Sequence, residues 1–172
     1  MKQPYNLVYG DFYKHYVSLV QDKSVRKAIK KNTQDFLQLL DDIPASKIDY
    51  AYADGKWTIK QLVQHIIDAE RVFSYRALRI ARYDETHLAG FDENTWAERT
   101  DVSARGWKDM IREFRQLRKS NELMIDDFNI EQLNSTGTAS NHPVSVAALC
   151  YIMAGHVQHH MNILKERYLS KK

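Results

Sequence analysis

The sequence predicts an all-α fold, a four-helix bundle with long connections. Apolar residues recur at three- and four-residue spacing over four long stretches. No stretch alternates polar and apolar residues for long enough to build a sheet. Only three prolines and six glycines punctuate 172 residues, and no Gly/Ser-rich segment suggests a linker. One domain over residues 1–172 is the expectation for a chain of this length.

The first stretch runs from about residue 9 to 42, with a possible break at Asp22-Lys23-Ser24. Val25, Ile29, Phe36, Leu39 and Leu40 lie at helical spacing, and Ile43-Pro44 ends the element. The second opens on a start signal: Thr58 as N-cap, Gln61 in capping-box position, and Trp57 with Leu62 as a hydrophobic staple. Its apolar pattern continues to about Arg82 and includes His65. Residues 83–102 read as a long irregular connection, a kind that is uncommon in compact domains and often functional. The third stretch starts at Ser103 and runs to about Asp127, with Trp107, Ile111, Phe114, Leu117 and Met124 inward. A polar connection over 129–142 precedes the fourth, from Ser145 to Leu169. Long connections permit crossover links, so up-down neighbours are not required.

Twenty-five basic residues against 22 acidic ones neither demand nor exclude an anionic partner. The single cysteine, Cys150, rules out an internal disulfide, and its apolar neighbours mark it as a buried thiol. The N-terminus has no apolar region of the signal-peptide kind, and the longest apolar stretch, 143–155, is too short to span a bilayer. A cytoplasmic protein without a membrane partner is the expectation.

Three of the seven histidines fall in Gly155-His156-Val157-Gln158-His159-His160. His156 and His160 are four residues apart and share one helix face. His159 lies about 60° around the helix from His156 and about 100° from His160, which suits a substrate-facing or supporting role. An HxxxH pair on an exposed face carries no meaning by itself. Here both members lie on an apolar stripe, and His65 interrupts another. If the second and fourth helices face each other, three neutral imidazoles converge, as sites in bundle cores do. Three histidines suit Zn²⁺, Ni²⁺, Fe²⁺ or Cu²⁺ rather than Mg²⁺ or Ca²⁺, and leave a position open for water or substrate.

Lys56-Trp57-Thr58, His65-Ile66-Ile67-Asp68-Ala69-Glu70 and Gly155-His156-Val157-Gln158-His159-His160 with Ile163 together resemble the DinB superfamily and its YfiT-like metal-dependent hydrolases. The resemblance extends from the first helix to Tyr168. It implies a bundle of up-down-down-up topology, a metal site at His65, His156 and His160, and a homodimer. It also implies a reaction class: hydrolysis, or S-transfer from a low-molecular-weight thiol serving as co-substrate. The ion expected is Zn²⁺ or Ni²⁺, and the partner a small-molecule substrate.

His159 and Asp68 are the candidates for a catalytic acid or base. Asp68, three residues after His65, either holds the second nitrogen of a ligand ring or is a solvated helix charge. Glu70 lies about 140° from His65 and is not expected at the metal. Tyr75 and Arg76 line a substrate channel or serve ordinary packing. Lys108, Arg112, Arg115 and Lys119 align on one face of the third helix. With acidic residues interspersed and no aromatics for base stacking, they read as a solvated face, and nucleic acid is not an expected partner. Arg71, Arg76, Arg79 and Arg82 receive the same reading. The alternative to an enzyme is a non-catalytic bundle acting as a dimerisation or stress-associated binding module.

Overall fold

A computed structural model describes residues 4–170. A 3₁₀ turn, Asp11–Tyr13, runs into the short helix α1 (Lys14–Ser18). The break anticipated at 22–24 follows, and Ser24 caps α2 (Val25–Asp41) by accepting from Lys27 N. Helix α3 (Ile59–Ala81) begins with the expected capping box: Thr58 Oγ1 accepts from Gln61 N at 3.2 Å, and Gln61 Oε1 accepts from Thr58 N at 2.8 Å. These reciprocal bonds satisfy two of the donors that a helix start leaves free.

The connection read as irregular contains a helix, α4 (Glu93–Arg99), capped by Asp92. Helix α5 (Trp107–Asp127) starts four residues later than Ser103, because Ser103 and Ala104 form a turn closed by Arg105 N donating to Val102 O, and Gly106 is the N-cap. Trp107, Leu117 and Met124 on it are only half-buried, and Leu78 on α3 is exposed. After α6 (Ile130–Asn134) comes a two-stranded antiparallel hairpin, β1 (Thr136–Ala139) with β2 (His142–Ser145). The expectation of no sheet is corrected to this extent. Its strands have four residues each, and Ser140 and Asn141 turn the chain with φ of 51° and 64°, a hairpin geometry without the usual Asn-Gly signature. Helix α7 (Val146–Ile163), capped by Ser145, ends in a π-helical turn, Leu164–Tyr168.

The bundle consists of α2, α3, α5 and α7, with α2 and α3 each packed against both α5 and α7. Two apolar cores fix the directions. One holds Val25 and Ile29 of α2, Ala69 to Ala81 of α3, Ile125 of α5 and Val146 to Ala154 of α7. The other holds Phe36 and Leu40, Ile59 to Ile67, Met110 to Phe114, and Val157 to Leu164. Helices α2 and α7 therefore run one way and α3 and α5 the other, which is the up-down-down-up order. Helix α7 is buried at every position from Val146 to Val157, as expected of a helix apolar all round. Among the described residues no helix is long and apolar enough to cross a membrane.

Candidate metal centre

The two cores meet at the level of His65 on α3 and His156 on α7, and there the interior turns polar. His65, His156 and His160 are 6%, 3% and 7% exposed. The His65 and His156 Nε2 atoms are 3.0 Å apart, those of His156 and His160 3.1 Å. All three donor atoms lie within 4.8 Å of one another. The tryptophan before the helix cap has a direct role: the Trp57 ring packs on His65, with centroids 5.0 Å apart, and its carbonyl accepts a hydrogen bond from Tyr168 Oη at 2.7 Å.

Burial holds these rings neutral. The His65 pKa falls to about 4, from desolvation and then the neighbouring His159. Those of His156 and His160 lie well below the usual histidine value, again chiefly from desolvation. A neutral ring is the form that ligates a metal.

The donor set fits a divalent transition metal. His156 Nε2 has two imidazole nitrogens at contact distance but only one lone pair or one proton to offer, so in neutral tautomers the two contacts compete for it. A cation accepting all three lone pairs satisfies both contacts. Zn–N bonds of about 2.0–2.1 Å in a tetrahedral site put adjacent nitrogens about 3.3 Å apart, close to the two shorter separations of 3.0 and 3.1 Å, with the third pair within 4.8 Å. His160 Nδ1 is buried and without a hydrogen-bond partner among the described residues, and an ion at Nε2 would not supply one.

The other candidates lie around this cluster. His159 is half-buried, and its Nδ1 faces His15 Nε2 at 3.2 Å. Its ring centroid is 5.1 Å from that of His160, so it flanks the cluster. Asp68 accepts from Gln64 Nε2 at 2.9 Å and pairs with Arg71 at 3.5 Å. Arg76, from the proposed channel, is 2% exposed and donates to Ala89 O and Ser140 Oγ. The basic stripe on α5 is exposed, with Arg112 paired to Asp109 and Arg115 to Asp41.

A cavity of 680 Å³ opens against His156, walled by Tyr13, Tyr16, Phe73 and Phe91, with Asp92 and Glu93 also in its lining. Its size is in the range of small-molecule sites. Glu93 was not singled out in the sequence. Its Oε2 lies 3.9 Å from His65 Nε2, and burial followed by Asp92 raises its carboxyl pKa. The length of the connection that carries it was the available signal. His15, Tyr13 and Tyr16 were missed for a similar reason, since they lie in a segment whose helical pattern is short.

Fold and site together define a helical bundle with a buried three-histidine cluster of the kind that can hold a divalent ion. A family model described as the DinB superfamily matches residues 28–164, and the chain belongs to that family. It is 32% identical over 89 residues to the "Putative metal-dependent hydrolase YfiT" of Bacillus subtilis (strain 168). That match covers 44% of this chain and 49% of the relative, about half its length. A second "Putative metal-dependent hydrolase", from Oceanobacillus iheyensis, is 26% identical over 144 residues, covering 81% of this chain and 80% of the other. A solved structure of YfiT from Bacillus subtilis, described as "a probable metal-dependent hydrolase with an unusual four-helix bundle topology", matches with a TM-score of 0.72 at 15% identity. It covers 92% of this chain and 87% of that one, and the likeness is one of fold.

Proposed function

We propose that the protein is a metal-dependent hydrolase in which His65, His156 and His160 hold a divalent transition metal, Zn²⁺ or Ni²⁺. A low-molecular-weight thiol is the alternative nucleophile at the same site, which would make the protein an S-transferase. The observation that carries the reading is the convergence of three buried, neutral imidazoles, one of which, His156, lines an aromatic-walled cavity. The relatives named as metal-dependent hydrolases support it. An ion bound there supplies Lewis acidity that activates water or a thiol toward an electrophilic substrate.

The chain's own residues supply the rest. Burial keeps the imidazoles unprotonated, so they do not repel a cation. Tyr13, Tyr16, Phe73 and Phe91 present ring faces and edges that bind an apolar portion of a small substrate and exclude bulk water. The cavity has room for such a substrate beside a second small reactant.

The test is metal content and turnover in one set of proteins. Wild type purified without an affinity tag contains stoichiometric metal by plasma spectrometry. The His156→Ala and His160→Ala variants lose it while keeping their helical circular dichroism. Hydrolysis of activated esters and amides, or conjugation of a small thiol to an electrophile, disappears with the metal. Unchanged metal content in His156→Ala removes the site assignment. A metal-loaded wild type inert across both panels points instead to the non-catalytic binding module.

A further inference from the structure

The connection between α3 and α5 is tied down before it reaches the metal centre. Leu88 joins the hairpin: its N–H donates to Thr138 O at 2.9 Å and its carbonyl accepts from Ser140 N at 3.0 Å. The next carbonyl, Ala89 O, is held at 2.6 Å by the buried guanidinium of Arg76, which also binds Ser140 Oγ. The chain therefore reaches the cavity lining, at Gly90 to Asn94, from a fixed place. Asp92 Oδ1 then accepts from Thr95 N at 3.0 Å, which starts α4 and makes Glu93 its first helical residue. Helix α4 packs on α3, the helix that carries His65.

The carboxylates at this end of the bundle differ in their partners. Asp68 pairs with Arg71, and Glu113 with Arg71 and Arg105. Among the described residues no lysine or arginine pairs with Glu93. Its ion-pair-range neighbour is His65 Nε2, one of the three donor atoms of the cluster. At 3.9 Å from a neutral imidazole the carboxylate is beyond hydrogen-bond range and gains little, whereas a cation joining the two would give it a partner. The side chain is about half exposed, so it is free to turn toward such an ion.

We propose that Glu93 supplies a fourth protein contact to an ion held by His65, His156 and His160, and that ion binding thereby clamps α4 against the bundle. The inference rests on the metal-centre reading above. Three imidazoles and one carboxylate are donors that zinc accepts, and a fifth position, which catalytic zinc can take up, would remain for water or substrate. Glu93 and His156 both line the 680 Å³ cavity, so the carboxylate would meet the ion at the wall of the space where a substrate enters.

Zinc titration of the full chain against a competing chelator, combined with amide hydrogen exchange, tests this. In the isosteric Glu93→Gln variant zinc affinity falls about 10- to 100-fold, the usual loss when a partner of a metal site is removed. Zinc slows exchange across Glu93–Arg99 in wild type and does not do so in Glu93→Gln. An affinity for Glu93→Gln within about twofold of wild type, well short of that loss, overturns the proposal, as does α4 exchange that ignores zinc. His156→Ala separates the two readings. If wild type and Glu93→Gln bind alike while His156→Ala does not bind, the centre stands and the role of Glu93 falls. If wild type binds no zinc, both fall.

Discussion

The carbonyl oxygen of Tyr16 lies 2.0 Å from the place where a Cβ on residue 155 would stand, so Gly155 lets the backbone of α1 rest directly on α7. That contact aims the α1 side chains at the site. The Tyr16 ring comes to 5.5 Å from His156 and 5.4 Å from His159, and His15 meets His159. A helix of five residues does not persist in water without such docking. Gly155→Ala therefore displaces backbone, and the cost is that of an overpacked core, about 1–3 kcal/mol. Urea unfolding reads the loss, and hydrogen exchange over Lys14–Ser18 shows α1 released. Unchanged stability together with a protected α1 would contradict the docking described.

Cys150 is fully buried, and burial, followed by the charge of Glu70, pushes its thiol up to about 12. At pH 8 a thiol with that pKa is thiolate in on the order of one molecule in ten thousand. The native protein should resist thiol reagents and react only as it unfolds, with labelling rising through the urea transition. The pH dependence has a definite sign. Between the ordinary thiol value of 9.0 and about 12 the unfolded chain loses its proton while the folded chain keeps it. The contribution of Cys150 to stability thus falls as pH rises through that window. Cys150→Ala lacks this component, so the stability gap between the two proteins changes above pH 9 and stays level below it. Fast labelling of folded wild type near neutral pH would show the site to be open.

What could be read from the sequence depended on how local each signal is. The capping box at Thr58 and Gln61 is written within four residues, and it formed as expected. The histidine cluster was legible in part: helical phase pairs His156 with His160 and His65 interrupts an apolar stripe, but that the two helices face each other came only with the family resemblance. The apolar spacing of α7 gave one inward stripe, and its burial all round from Val146 to Val157 came from packing on α1, α2 and α3. Glu93 was invisible because its position depends on tethers from Leu88 to Thr138 and from Arg76 to Ala89, which are contacts across the fold. The hairpin of β1 and β2 was missed because four-residue strands show no period. Glu70 and Arg118 resemble the solvated charges around them in sequence, and only the packing of α3 against α5 puts them inside.

That buried pair gives the last prediction. Arg118 and Glu70 have side chains 0% and 2% exposed, with Nη2 and Oε2 3.0 Å apart. Asn121 Nδ2 donates to the other carboxylate oxygen at 2.8 Å, and Arg118 Nη2 also donates to Met153 O on α7. The pair thus joins α3, α5 and α7 at the level where the two cores meet, three residues before His156. It is incompletely satisfied, because Arg118 Nε and Nη1 are buried without partners among the described residues. Desolvation of both ions offsets much of their attraction, so the pair as a whole adds little stability, whereas half of it is costly. Arg118→Met, which strands the Glu70 carboxylate against Asn121, should destabilise the protein by about 3–5 kcal/mol. The double variant Glu70→Leu/Arg118→Met should return to wild-type stability or exceed it. A double-mutant cycle by denaturant unfolding measures both. Independent, additive losses would show that the two residues contribute through separate contacts and do not act as a coupled pair.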